Sequence, residues 1–483
     1  MLEEIIKERK RKLQYLKERG INPYPSKVKR SLVIGDVIKN FASLKRNKKN
    51  FDVVGRVRAF RDQGKIIFLE LEDASGRIQV ILNNENILQF PTFKKTLDIG
   101  DFIHIFGNAF LTKRGEKSIL AKKITVLAKA LRSIPSDFYG LEDTEIRLRK
   151  RYLDTILNKE ARDIFIKKSL FWKSIREFLD REGFIEVDTP VLEAIAGGAE
   201  AEPFVTHHNA LNEDFYLRIA LEISLKKMIV GGFEKIYEIG RVFRNEGIDA
   251  EHLQDYTQME FYWAYADYKD LMKLLEKMYK FVIKNTFGTL TLSWQGKKIH
   301  WGKKWRVVDY IQAFKEKNKF NPLEATKEEL LKRALTLGIG PEKNAGRGRL
   351  IDLIYKKTVR PTLIEPTFLI NTPTLVSPLA KRSSENPEVV ERLQIVACGT
   401  ELGNGFSELN DPLDQRARFE EQSALRKEGD KEAHMFDEEF LEALEYGMPP
   451  TAGFGLSERL FAILIDKSIR EIIFSPPMKK NRQ

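Results

Sequence analysis

The chain has a single cysteine, Cys398, among 483 residues. One thiol cannot form an internal disulfide or a cysteine-based zinc site, and such sparing use suits a reducing cytoplasm. No apolar run approaches the roughly 20 residues that cross a bilayer, so no membrane helix is expected. The opening "MLEEIIKERKRKLQYLKERG" is charged and amphipathic, without the apolar centre of a signal peptide. Glycine-rich phosphate cradles are missing too: there is no GxxxxGK followed by Ser or Thr, and no GxGxxG after a strand. His207 and His208 are adjacent, so an extended chain sends them to opposite sides and they make a poor chelate. No internal repeat or low-complexity tract is present.

What is there describes a folded, basic, multidomain protein. Hydrophobic residues make up 42% and aromatics 10%, a composition that buries a core. The length calls for two or three domains. Lys and Arg total 82 against 70 Asp and Glu, a formal charge of +12. That excess favours a polyanionic partner, nucleic acid above all, although a generally basic composition would give the same figure.

Four segments can be told apart. Residues 1–50 start with a basic helix carrying Ile5, Ile6, Leu13 and Leu16 at helical spacing. Residues 51–130 are short β-like runs split by the turn signals "DQGK", "DASGR", "DIGD" and "KRGE", the texture of a small oligonucleotide-binding barrel. There Phe68 and Gln79 fall on successive strands, placed either to contact bases or, for Phe68, to fill the core. Residues 131–150 are a charged linker with Pro135 and Gly140. Residues 151–483 mix long helical stretches with antiparallel-like strands, an α+β domain.

The larger domain carries the chemistry. In "YTQMEFYW", Tyr256, Gln258, Glu260 and Tyr262 share one side of an extended chain, and Thr257, Met259, Phe261 and Trp263 the other. Of the second set, Met259, Phe261 and Trp263 are core material. The first is either a solvated sheet face or a site. In "TELGNGFSELND", Asn404, Phe406 and Glu408 share a parity that Glu401 lacks, so a bulge near Gly403 is required to gather all four. Glu222 stands among apolar residues at an expected helix start and needs a cation or hydrogen bonds if buried. Arg244 and Glu246 end the strand-like "KIYEIGRVF". Carboxylates mixed with Arg244 and Arg459 suit either a cation pocket or a metal-complexed polyphosphate.

These strings resemble a known family. "GFIEVDTPVL", "VFRNEG" and "GFGLSERL" look like the three signature motifs of class II aminoacyl-tRNA synthetases. "AGGAEAEPFVTHHNAL", "YLRIALEISLKKMIVGGFEKIYEIGRVFRNEG" and "GTELGNGFSELNDP" resemble the bacterial type of lysyl-tRNA synthetase, and the resemblance spans nearly the whole chain. It implies an antiparallel catalytic sheet with flanking helices, an N-terminal five-stranded OB-fold barrel that binds the anticodon, and a homodimer. It implies lysine–tRNA ligase activity with ATP and magnesium (Mg2+), and L-lysine and tRNA(Lys) as partners. Carried over, Arg244 meets the α-phosphate and the amino acid carboxylate, Glu246 the nucleotide, His252 the triphosphate, Tyr256 the adenine and Arg459 the far phosphate. Gly198, Glu222, Glu260, Tyr262, Asn404, Phe406 and Glu408 would form the lysine pocket. Glu401 and Gln394 fall at metal-binding positions, Arg61, Phe68 and Gln79 at anticodon-contacting ones, and Pro190 at the dimer interface.

The chain departs from the family pattern in places. Gln394 stands where a metal-binding Glu is usual, Glu202 where a basic residue is common, Glu251 and Leu253 around His252, Glu458 before Arg459, and Lys123 in the barrel. Those departures keep open a catalytically silent tRNA-binding paralogue. An aspartyl- or asparaginyl-type relative is disfavoured, because Glu222, Glu260 and Glu408 would repel an acidic side chain. A lysylating paralogue that modifies a protein would lack the barrel.

Overall fold

The computed structural model describes residues 2–135, 143–247, 253–341, 345–377, 379–427 and 434–479. The chain forms two compact units, Met1–Glu142 and Asp143–Gln483.

In the first unit, helix α1 (Leu2–Glu18) precedes five strands, β1 (Asn50–Asp62), β2 (Ile66–Asp73), β3 (Gly76–Asn83), β4 (Phe102–Leu111) and β5 (Lys117–Ala128). They close a barrel in the order β1-β2-β3-β5-β4. The 13-residue β1 makes closure possible, pairing with β4 through its first half and with β2 through its second. The parallel β3–β5 pair completes the ring and leaves no open edge. Alternation sends Ile67, Leu69 and Leu71 inward, while half-buried Phe68 lies on the outer face with Glu70. Phe68 is therefore not core. Helix α1 buries Leu16, and its Arg9 guanidinium donates to the carbonyls of Ile99, Ala130 and Arg132.

The second unit is built on an eight-stranded sheet. Its strands are β6 (Ile185–Glu186), β7 (Lys235–Phe243), β8 (Asp255–Ala264), β9 (Arg306–Asp309), β10 (Thr367–Ile370), β11 (Arg392–Ala397), β12 (Thr400–Ser407) and β13 (Thr451–Ser457). The spatial order is β9-β10-β11-β12-β13-β8-β7-β6. The central pairs are antiparallel, and only the outermost two, β9–β10 and β7–β6, are parallel.

Helices α2 (Lys159–Arg181), α3 (Glu222–Val230) and α4 (Tyr268–Phe287) cover this sheet. Phe171, Ile175, Leu275 and Met278 of α2 and α4 pack with Met259, Phe261 and Phe454. Leu225 and Ile229 of α3 cluster instead with Ile236 and Tyr262, residues of opposite strand parity. The sheet is thus buried on both faces, and the α3 side is where polar residues interrupt the packing. Strands β11 and β12 are joined by a two-residue turn, Cys398–Gly399, with φ of 55° and 68°. Positive φ at both positions is the geometry a tight hairpin between twisted strands requires. Cys398 is buried there, and burial pushes its thiol up to about 12.

Candidate active site

Strand register lines up two rows of side chains on one sheet face. Gln394, Asn404, Gly455, Glu260 and Glu238 lie side by side across β11, β12, β13, β8 and β7. The neighbouring row is Arg392, Phe406, Gly453, Tyr262 and Ile236. In both rows β13 contributes glycine. A Cβ at 453 would lie 2.1 Å from Glu408 Oε1 and 2.5 Å from Tyr262 Cε1, and one at 455 would lie 3.2 Å from Glu260 Cγ. The middle strand bares its backbone as a floor, and flanking side chains wall a cavity of about 700 Å³. Strand β12 serves the same cavity through an irregularity. Ile395 pairs with Gly403 and Val396 with Glu401, so Leu402 is an extra residue that brings Glu401 round to join Asn404, Phe406 and Glu408.

One end of the cavity is acidic. Glu222 opens α3, Glu260 sits on β8, Glu408 follows β12, and all three are buried. Glu260 Oε1 accepts from the Leu221 amide at 3.1 Å and from Gln258 Nε2 at 2.7 Å, and Oε2 accepts from the Tyr262 hydroxyl at 3.0 Å. Burial, with the charge of Glu222 next, still pushes the Glu260 carboxyl up to about 7. Burial raises Glu408 as well, against the pull of Lys226. The wholly buried Lys226 donates to Glu222 Oε1 at 2.5 Å and pairs with Glu408. Burial works against its ammonium, but Glu222 and Glu408 together outweigh it and keep it charged. His434 lines this end too, and burial lowers it to about 4, so it is neutral at neutral pH.

The rest of the lining mixes basic residues with the carboxylates Glu200, Glu246, Asp352 and Glu401, and Lys356 pairs with Asp352 at 2.7 Å. Arg244, just past β7, donates from Nε to the Ile219 carbonyl at 3.2 Å and holds its guanidinium 5.6 Å from the Tyr256 ring centroid. Its amide donates to the Gln254 carbonyl at 2.8 Å, and Gln254 Nε2 returns to the Gly247 carbonyl at 3.0 Å, closing the base of the strand–loop–strand. Arg349, Lys356, Arg360, Arg392 and Arg459 also line the cavity. Glu458 beside Arg459 is buried against Lys168 of α2 and accepts from the Thr257 amide at 3.4 Å, a structural tie between α2 and β8.

Gln394 Nε2 donates to Glu401 Oε2 at 2.7 Å, which leaves Gln394 Oε1 buried and, among the described residues, without a hydrogen-bond donor. An orphaned oxygen beside a carboxylate is a pair of hard donors. That fits magnesium, which needs only one or two protein oxygens when phosphates and water complete its shell. Among the described residues no group of three His, Cys, Asp or Glu side chains converges to hold a metal.

A family of tRNA synthetases class II (D, K and N) matches residues 143–479, and the OB-fold nucleic acid binding domain matches residues 51–127. The chain belongs to the class II tRNA synthetases. Similar curated proteins carry the name lysine–tRNA ligase. That of Carboxydothermus hydrogenoformans is 44% identical, covering 99% of this chain and 98% of its own length. Those of Moorella thermoacetica and Thermotoga maritima are also 44% identical, covering 98% and 100% of this chain and 97% of their own.

In this synthetase the cavity gathers Gly198, Glu222, Arg244, Glu246, Tyr256, Glu260, Tyr262, Gln394, Glu401, Asn404, Phe406, Glu408 and Arg459. His252 and Glu251 lie outside the described residues. Gly198 has φ +83°, and a Cβ there would lie 2.9 Å from Glu222 Cβ, so glycine is needed twice over. Leu253 is buried in the core with Met259, which accounts for an apolar residue at that position. On the barrel's outer face, Arg61 Nη2 donates to Gln79 Oε1 at 3.3 Å and Gln79 Nε2 to Ser118 Oγ at 2.9 Å, while Phe68 pairs in register with Arg61. Pro190 is exposed and leads through exposed Val191 into a small three-stranded sheet with exposed Leu192 and Val205.

Some contributors are not evident in the sequence. Arg218 donates to Glu238 Oε1 at 2.7 Å and to the Arg241 carbonyl at 2.8 Å, neutralising the carboxylate that register sets beside Glu260. Lys226 left one signal, a lysine four residues after Glu222. His434 left none.

Proposed function

We infer that this synthetase is an ATP-dependent lysine–tRNA ligase. It joins L-lysine to ATP as lysyl-adenylate and passes the lysyl group to the 3′ end of tRNA(Lys). One observation carries this reading: Glu222, Glu260 and Glu408 converge with Tyr262 at one end of the cavity. Such an end accepts a cationic side chain. An aspartate would be repelled, and an asparagine would leave buried carboxylates uncompensated. The name shared by the relatives supports the same reading.

Activation needs no protein nucleophile. A carboxylate oxygen of lysine attacks the α-phosphorus, the bond from that phosphorus to the bridging oxygen of the β-phosphate breaks, and pyrophosphate leaves. Two anions must meet, so fixed cations lower the barrier, and alignment supplies much of the rest. We assign Arg244 to the α-phosphate and the lysine carboxylate, Arg459 to the far phosphate, Tyr256 to the adenine face, and Glu246 with His252 to the nucleotide. Gly198, Glu222, Glu260, Tyr262, Asn404, Phe406 and Glu408 receive the lysine. Glu401 and Gln394 would hold magnesium, which when bound offsets phosphate charge. In transfer, a hydroxyl of the terminal ribose attacks the acyl carbon and gives up its proton, and AMP departs with the oxygen that linked it to the acyl group.

We further assign the barrel, through Arg61, Phe68 and Gln79, to the anticodon. The exposed apolar segment at Pro190 is the surface on which we place a homodimer contact, and the cytoplasm is the expected compartment. The test is pyrophosphate exchange into ATP by the purified protein. Exchange with lysine is expected; none with lysine, or equal exchange with aspartate, overturns the reading.

A further inference from the structure

We propose that Lys226 is a positioning residue for amino acid selection, an internal ammonium that cancels one of the three pocket carboxylates and so reserves the other two for the two ammonium groups of a lysine substrate. This rests on the lysine–tRNA ligase reading of the cavity.

Each element packed around Lys226 contributes to the count. Glu222 comes from its own helix, Glu260 and Tyr262 from β8, Glu408 from the end of β12, and His434 from the segment before the helix Glu438–Glu445. The Phe406 and Phe440 ring centroids lie 5.5 Å and 5.8 Å from Nζ. The next residue, Lys227, is engaged elsewhere, 3.1 Å from Glu439. Tyr262 stays protonated, since burial raises it well above the ordinary phenol value, and His434 is neutral. Three carboxyl groups face one ammonium. Burial raises Glu260 and Glu408 while the pocket is empty, so entering cations draw them to the anionic form, and the fully ionised pocket is two positive charges short. Lysine brings an α-ammonium and an ε-ammonium, while its carboxylate belongs with Arg244. An uncompensated buried ion is costly, so the pocket favours an occupant that closes this deficit over one that brings a single cation.

Lys226 also sets distance. It bridges Glu222 on a helix to Glu408 at a strand end, two elements with no direct bond between these carboxylates. The acceptors are therefore preset for a side chain of one reach, and a shorter diamine cannot draw them together.

The test uses the full-length enzyme in lysine-dependent pyrophosphate exchange. Lys226→Met keeps the length and apolar stem but removes the charge. KM for lysine should rise about tenfold or more, with KM for ATP and kcat at saturating lysine within about threefold of wild type. Without Lys226 the remaining carboxylates hold their protons to higher pH, so the pH below which lysine affinity falls should move up by roughly one unit. Preference for lysine over ornithine should shrink. The double variant Glu222→Gln with Lys226→Met restores the two-charge deficit without burying an unpaired ion, so its pH midpoint should return to within about half a unit of wild type even though lysine binds weakly. If the single variant does not fold, the double variant alone decides by the same midpoint. An unshifted midpoint in Lys226→Met, or a shifted one in the double variant, overturns the inference. A wild-type enzyme inactive with lysine would instead overturn the function on which it rests.

Discussion

Gln394 and Glu401 face each other across β11 and β12, the amide donating to the carboxylate at 2.7 Å while the amide oxygen stays buried with no donor among the described residues. A neutral side chain thus occupies half of an oxygen pair in the cavity lining. Gln394→Glu should tighten binding of manganese, used as a paramagnetic probe with a non-hydrolysable ATP analogue, by about tenfold through the added charge. Unchanged manganese affinity would show that this pair is not where the ion sits.

Glu260 is expected to give lysine binding a pH dependence. Burial and Glu222 push its carboxyl up to about 7, so it is an anion above that value and protonated below. KM for lysine should be flat at higher pH and climb as pH drops through about 7, while KM for ATP does not follow. Stability runs the other way. The folded state holds a proton that the unfolded chain releases near its ordinary value of 4.5, so this contribution is complete below about 4.5 and is lost as pH rises to about 7. Added lysine should therefore raise the melting temperature more at about pH 8 than at about pH 6. Equal shifts at both would remove Glu260 from cation binding.

Gly453 lies in register between Phe406 and Tyr262, and a methyl there would overlap Glu408 Oε1 at 2.1 Å. Gly453→Ala should cut kcat/KM for lysine by about a hundredfold, a cost on the scale of a misplaced buried contact, while ATP still binds by calorimetry. Activity near wild type would mean that Glu408 and Tyr262 can retreat without penalty.

Phe68 presents its ring on the outer face of the barrel, away from the core. Phe68→Ala should leave pyrophosphate exchange untouched and raise KM for tRNA in charging by about tenfold, consistent with roughly 1–3 kcal/mol for a stacked base. A fall in exchange equal to the fall in charging would separate this residue from tRNA binding.

Local patterns made much of this readable beforehand. The barrel announces itself because its β-like runs are set apart by the glycine-bearing turn signals "DQGK", "DASGR", "DIGD" and "KRGE". The split of β8 into Met259 and Phe261 on one side and Glu260 and Tyr262 on the other is a period-two signal, and it sorts those residues into core and cavity. The parity conflict at Glu401 required a bulge near Gly403, and the extra residue is Leu402. Other contributions depend on which strands become neighbours, and strand pairing is not a local property. The motif-like "GFGLSERL" does not name its neighbours, and only register places Gly455 between Glu260 and Asn404 and Gly453 between Tyr262 and Phe406. Likewise Lys226 reads as a helix lysine until the end of β12 delivers Glu408 to it.

The tight turn between β11 and β12 has a practical side. Its Cys398 is the only sulfhydryl in the chain, buried and with its thiol pushed up to about 12. Near neutral pH it offers almost no thiolate, so alkylating reagents will pass it by. A cysteine introduced on the outer face of the barrel, or beside Pro190, would then be the single addressable point in the molecule. Fluorophores or spin labels could be attached there in the native background, and the motion of tRNA-binding and catalytic parts followed without first engineering a thiol away.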